Sequence, residues 1–91
     1  MNTIKMSNIS LKDFREFLFE KGCSRVENGT KGRGGHELWS KVGLLRPVTL
    51  QTHIDPVPER TVRSNLNTLG ISRKAFEEWY IGKHGKKSKQ Q

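Results

Sequence analysis

Apolar residues recur along this chain at two spacings, and the change between them separates helices from strands. Leu11, Phe14, Leu18 and Lys21 fall on one helical stripe with Phe17 beside it. Ser10 is suited to cap that helix, and Asp13 three residues on completes a variant of the capping box. Ile9 and Phe14 are placed to close a hydrophobic staple, and Gly22 is a natural stop.

From Cys23 the spacing shortens. Cys23 to Glu27 reads as a short strand around Val26, followed by an Asn28-Gly29 turn and a basic loop through Gly35. His36 to Lys41 reads as a second strand around Leu38 and Trp39. Val42 to Leu45 connects it to a third strand, Arg46 to His53, in which Val48, Leu50 and Thr52 alternate with Thr49 and Gln51. Short connections make an antiparallel meander the economical pairing. Strict alternation puts His36 and Leu38 on one face of the second strand, and Glu37 and Trp39 on the other.

Pro56 and Pro58 end the sheet, and Pro58 with Glu59 suits the start of a second helix whose Val62, Leu66 and Leu69 share a face before Gly70. Ile71-Ser72 opens a third helix with Ala75, Phe76, Trp79 and Tyr80 turned inward. Residues 82–91 hold four lysines and no apolar side chain, which predicts a disordered basic tail. Residues 1–8 carry no pattern and read as an N-terminal extension. The expected fold is α+β, in the order α-β-β-β-α, with a three-stranded antiparallel sheet packed on helices and a short extra C-terminal helix.

Composition narrows the partner. Lys and Arg total 17 against 9 Asp and Glu, so the chain carries +8 and favours a polyanion through counterion release. The single cysteine, Cys23, fits a reducing cytoplasm and reads as core. No apolar run nears the roughly 20 residues of a membrane span, and no signal-peptide core is present. One Cys and three scattered His give no zinc spacing, so neither metal nor cofactor is expected.

Candidate chemistry concentrates where the basic loop meets the second strand. Lys31, Arg33, Gly34 and Gly35 lead into His36: glycines allow close backbone approach, and the cations attract phosphate. His36 is the candidate catalytic residue, a general base or acid that takes the proton of a ribose 2′-hydroxyl while the loop holds the phosphate. Lys41 and Arg63 are further candidate RNA contacts. His53 is either a complementary acid or a strand-end residue, and Trp39 either stacks on a base or joins the core.

The element order is that of double-stranded-RNA-binding domains, and three local signals add to it. Gly34-Gly35-His36-Glu37-Leu38-Trp39 resembles the Gly-Ser-His-x-x-aromatic signature of the HicA family of messenger-RNA-cleaving toxins. Val48 to His53 resembles that family's third strand, which often ends in histidine. Thr61 to Leu66, with Leu69-Gly70-Ile71-Ser72, is similar to its second helix and the Ala-Gly-Ile-Ser segment that follows. The chain departs from the pattern at Gly35 (usually serine), Asn65 (usually aliphatic), Leu69 (commonly alanine) and Glu37 (histidine in many members). The resemblance spans about Ile9 to Tyr80 and implies a HicA-like domain at 9–81. It implies a toxin of a type II toxin–antitoxin system, a metal-independent RNA endonuclease with His36 as its catalytic histidine, and a HicB-like antitoxin as partner. The residues also suit a non-catalytic RNA-binding module of the same fold. A third reading, a helix-turn-helix regulator built on Thr61 to Tyr80, is disfavoured by the strands before it.

Overall fold

A computed structural model describes residues 5–26 and 36–89. The expected turn at Asn28-Gly29 and the loop residues Lys31, Arg33, Gly34 and Gly35 lie outside the described residues. The elements follow in the order α1 (Leu11–Glu20), β1 (Ser24–Arg25), β2 (His36–Ser40), β3 (Val48–Gln51), α2 (Glu59–Leu69) and α3 (Arg73–Lys89), with a 3-10 turn at Met6–Asn8 ahead of α1. The fold is α+β, a helix followed by a three-stranded antiparallel sheet in the order β1-β2-β3 and then two helices.

Helix α1 begins where its caps place it. Ser10 Oγ accepts the Asp13 amide at 3.0 Å, and Asp55 Oδ1 accepts the Leu11 amide at 3.0 Å from the loop before α2. The Asp13 carboxylate meets His84 on α3 instead of closing the capping box. Both α1 and α2 end in the same way. Gly22 and Gly70 adopt left-handed φ of 91° and 73°, which lets the amides of Cys23 and Ile71 reach back to Leu18 and Leu66. A side chain at either glycine would strain that turn.

The core lies between the helices and one face of the sheet. Phe14, Phe17 and Phe76 are wholly buried, with the Phe17 and Phe76 rings edge to face at 4.8 Å. Trp79 stacks beside them and donates its indole N–H to Glu20 at 2.9 Å, tying α3 to α1. From the sheet come Trp39, Val48 and Leu50.

Several elements differ from the expectation. Strand β3 is Val48–Gln51, not 46–53, because Pro47 has no amide to donate and the chain turns at Thr52–His53. Strand β1 keeps only Ser24–Arg25, with Val26 adding one bond to the Leu38 carbonyl. Met6 is buried and its 3-10 turn packs on α2, so residues 6–8 of the expected N-terminal extension pack with the core. Ala75 is exposed, leaving Phe76, Trp79 and Tyr80 as the inward set. The C-terminal helix is not short: α3 is the longest element and runs to Lys89, into the stretch expected to be a basic tail. Its later turns dock on α1, where Lys83 pairs with Glu16, and His84 Nε2 lies 2.9 Å from Asp13.

Asn65, the polar residue at an aliphatic position, has a structural role. It is buried on α2 and its Nδ2 donates to the Thr49 carbonyl at 3.0 Å, fastening the helix to β3. Asn65→Leu is expected to lose about 1–2 kcal/mol in urea unfolding, because the Thr49 carbonyl is left unpaired. An unchanged midpoint would show that the bond contributes nothing.

Candidate active site

Strand β2 decides which way the histidine points. Its residues alternate in burial, with Glu37 and Trp39 inside and His36 exposed. A carboxylate occupies a core-facing position because three partners hold it. Arg15 from α1 grips both of its oxygens at 3.2 and 2.7 Å, and Trp39 donates its indole N–H at 3.0 Å. Arg25 on β1 stands 3.7 Å away. Burial works against ionisation of Glu37, but the hydrogen bonds from Arg15 and Trp39 and the charges of Arg15 and Arg25 outweigh it, holding the carboxyl below its usual range. With Glu37 and Trp39 anchored inward, the pleat turns His36 to the face away from the core.

On that face His36 opens onto a groove of about 400 Å³ between the sheet and α2. Arg46, Thr49 and Gln51 line it from the β3 side, Gln51 being the cross-strand partner of His36. Arg60, Thr61, Ser64 and Thr68 line it from α2. No carboxylate is among the described residues of this lining. The two arginines stand apart from the others. Arg15, Arg25, Arg63 and Arg73 are each paired with a glutamate, whereas Arg46 and Arg60 have no carboxylate partner among the described residues. The unpartnered guanidiniums thus line the same groove as the exposed histidine, and each is able to bind a phosphate in two-pronged fashion.

The other candidates are distributed around the molecule. Lys41 sits at the far end of the β2–β3 connection and donates to the Lys21 carbonyl at 3.1 Å. Arg63 is committed to Glu59 at 2.7 Å and lies beside Met6 and Leu66, away from the His36 groove. His53 is exposed in the turn after β3 and does not line the groove. Trp39 belongs to the core and is closed to base stacking. Cys23 is buried, and desolvation pushes its thiol up despite nearby Lys41, which makes it a poor nucleophile.

Arg46 and Arg60 are the residues that sequence reasoning missed. A signal existed for Arg60: with Thr61, Ser64, Asn65 and Thr68 it forms a polar stripe at helical spacing, opposite the Val62 and Leu66 face. Arg46 carries no such pattern, since its place is set by Pro47 and the start of β3. Among the described residues, no helix is long and apolar enough to cross a membrane. Comparison with protein-family models, curated proteins and solved structures finds no match to this chain.

Proposed function

We propose that the protein is an RNA endonuclease of the HicA type, the toxin of a type II toxin–antitoxin system, acting on messenger RNA in the cytoplasm. The observation that supports this most is the exposed His36 in a groove also lined by the only two arginines, among those described, that have no carboxylate partner. His36 removes the 2′-hydroxyl proton, the 2′-oxygen attacks phosphorus, and the bond to the 5′-oxygen breaks. The products are a 2′,3′-cyclic phosphate and a 5′-hydroxyl, whose proton comes from water. Arg46 and Arg60 hold the phosphate and stabilise the charge that grows on its oxygens. This arrangement asks no metal to perform a step. The resemblance adds a HicB-like antitoxin, an acidic protein covering the basic face. Lys31, Arg33, Gly34 and Gly35 remain proposed contacts on the loop before His36.

A second reading, a non-catalytic RNA-binding module, rests on the groove holding one titratable base, His36, among its described lining residues. Purified protein incubated with messenger RNA in EDTA separates the two. Cleavage supports the nuclease, and tight binding without cleavage favours the module. Arg46→Ala and Arg60→Ala are each expected to slow cleavage about 10²-fold, the scale of removing one group that stabilises developing charge. Rates unchanged in both variants would remove the groove from the mechanism.

A further inference from the structure

We propose that the cavity beyond Arg46, between the β2–β3 connection and the C-terminal end of α2, is a second backbone-binding subsite for single-stranded RNA. It takes its ligand class from the ribonuclease reading and extends that site past the scissile phosphate. The cavity measures about 520 Å³, and Arg46, Ser64 and Thr68 line both it and the His36 groove, so the two spaces adjoin. Arg60, Ser64 and Thr68 recur every four residues, a row about 12 Å long on one side of α2. Lys41 lines the far end, its ammonium donating one proton to the Lys21 carbonyl and keeping others for a phosphate, and Asn67 adds an amide. No carboxylate lines either space among the described residues, so the path keeps one sign of charge. A compact anion would engage one end of such a path; a chain of phosphates engages all of it.

The rim indicates that the strand is single. Val42 and Leu45 are both fully exposed where the connection borders the cavity, flanked in sequence by Lys41 and Arg46. With its backbone on those two cations, an unpaired nucleotide can lay the flat face of its base over the aliphatic pair. In a duplex the faces stay stacked and out of reach. An acidic protein segment would also meet the charge, but the row of hydroxyl and amide donors and the adjoining His36 groove favour RNA.

The test uses the full chain with fluorescein-labelled 2′-O-methyl RNA, which binds without being cleaved, in anisotropy titrations across a range of salt. The single-stranded octanucleotide is expected to bind about tenfold more tightly than the trinucleotide, with Lys41→Ala lowering its salt slope by about one and leaving the trinucleotide unaffected. The proposal is overturned if Lys41→Ala affects both oligonucleotides equally or neither. It is equally overturned if duplex binds as well as single strand, or if oligoglutamate outcompetes the octanucleotide. Cleavage of unmodified RNA is scored in parallel. Its absence, with the Lys41 effect intact, refutes the nuclease and leaves the subsite; its presence without the Lys41 effect refutes the subsite alone.

Discussion

His36→Ala is expected to cleave RNA about 10²–10⁴-fold more slowly than the wild type, the range that a positioned proton-transfer group contributes. Binding of uncleavable RNA should change far less, because the phosphate contacts proposed for Arg46 and Arg60 both remain. The fold should be untouched: His36 is exposed on the open face, where substitutions shift stability by about 0.5 kcal/mol or less. Initial rates, anisotropy and thermal melts on the one variant therefore read three separate properties. Loss of cleavage alone supports a role in chemistry, and loss of binding to the same extent would demote His36 to a contact. Equal cleavage by both proteins would end the proposal for this residue. In cells, growth arrest on expression should disappear with the same substitution.

The second large effect concerns the carboxylate behind the histidine. Arg15→Met should destabilise the protein by about 3 kcal/mol, because Glu37 stays buried with its principal cation gone. For a domain of this size that lowers the melting temperature by roughly 12–24 °C. Glu37→Gln should cost only about 1 kcal/mol, since the amide oxygen still accepts from Trp39 and Arg15, whose side chain is 39% exposed, can turn to water. The pair also has a signature in pH. The Glu37 carboxyl is held below its unfolded value when folded, so its contribution is complete above the unfolded range near about 4.3. As pH falls below that, the unfolded chain takes up a proton first and the contribution shrinks until the folded carboxyl is also protonated. The stability gap between wild type and Glu37→Gln should therefore close with acidification in urea melts. A gap that widens toward acid pH would contradict the inward ion pair.

Much of the fold was legible because its signals were local. Ser10, Ile9 and Phe14 marked the start of α1, Gly22 and Gly70 closed two helices, and Val48 and Leu50 alternated as a half-buried strand must. The misreadings arose where a distant partner outweighed local composition. Lys83 and His84 sit in a polar, lysine-rich stretch, yet Glu16 and Asp13 across the molecule extend α3 through it. Met6 lacks any periodic neighbour and is buried by α2. Glu37 shares a face with Trp39, and whether that face was buried could not be read locally; it is a core group because Arg15 reaches it from 22 residues away.

The same distinction explains the site. His36 could be singled out from its glycine-rich approach and the HicA-like spacing, whereas its direction depended on whether Glu37 or Leu38 faced inward. Alternation gave two answers, and the Arg15–Glu37–Trp39 contacts select the one that exposes the histidine. Arg63 is at a plausible helical position but is paired with Glu59, and the cations beside His36 come instead from Arg46 and Arg60. Which arginines lack a carboxylate partner is a property of tertiary structure, so charge counting along the chain could not rank them.

The central claim is that His36 and the groove arginines cleave RNA by using its own 2′-hydroxyl. The most direct measurement is mass spectrometry of the ends left when the purified protein digests a defined RNA in EDTA. The expected products carry 2′,3′-cyclic phosphate and 5′-hydroxyl ends, with no cut at a position carrying a single 2′-deoxy substitution. Products bearing 5′-phosphates, cutting at the 2′-deoxy position, or intact RNA would contradict it.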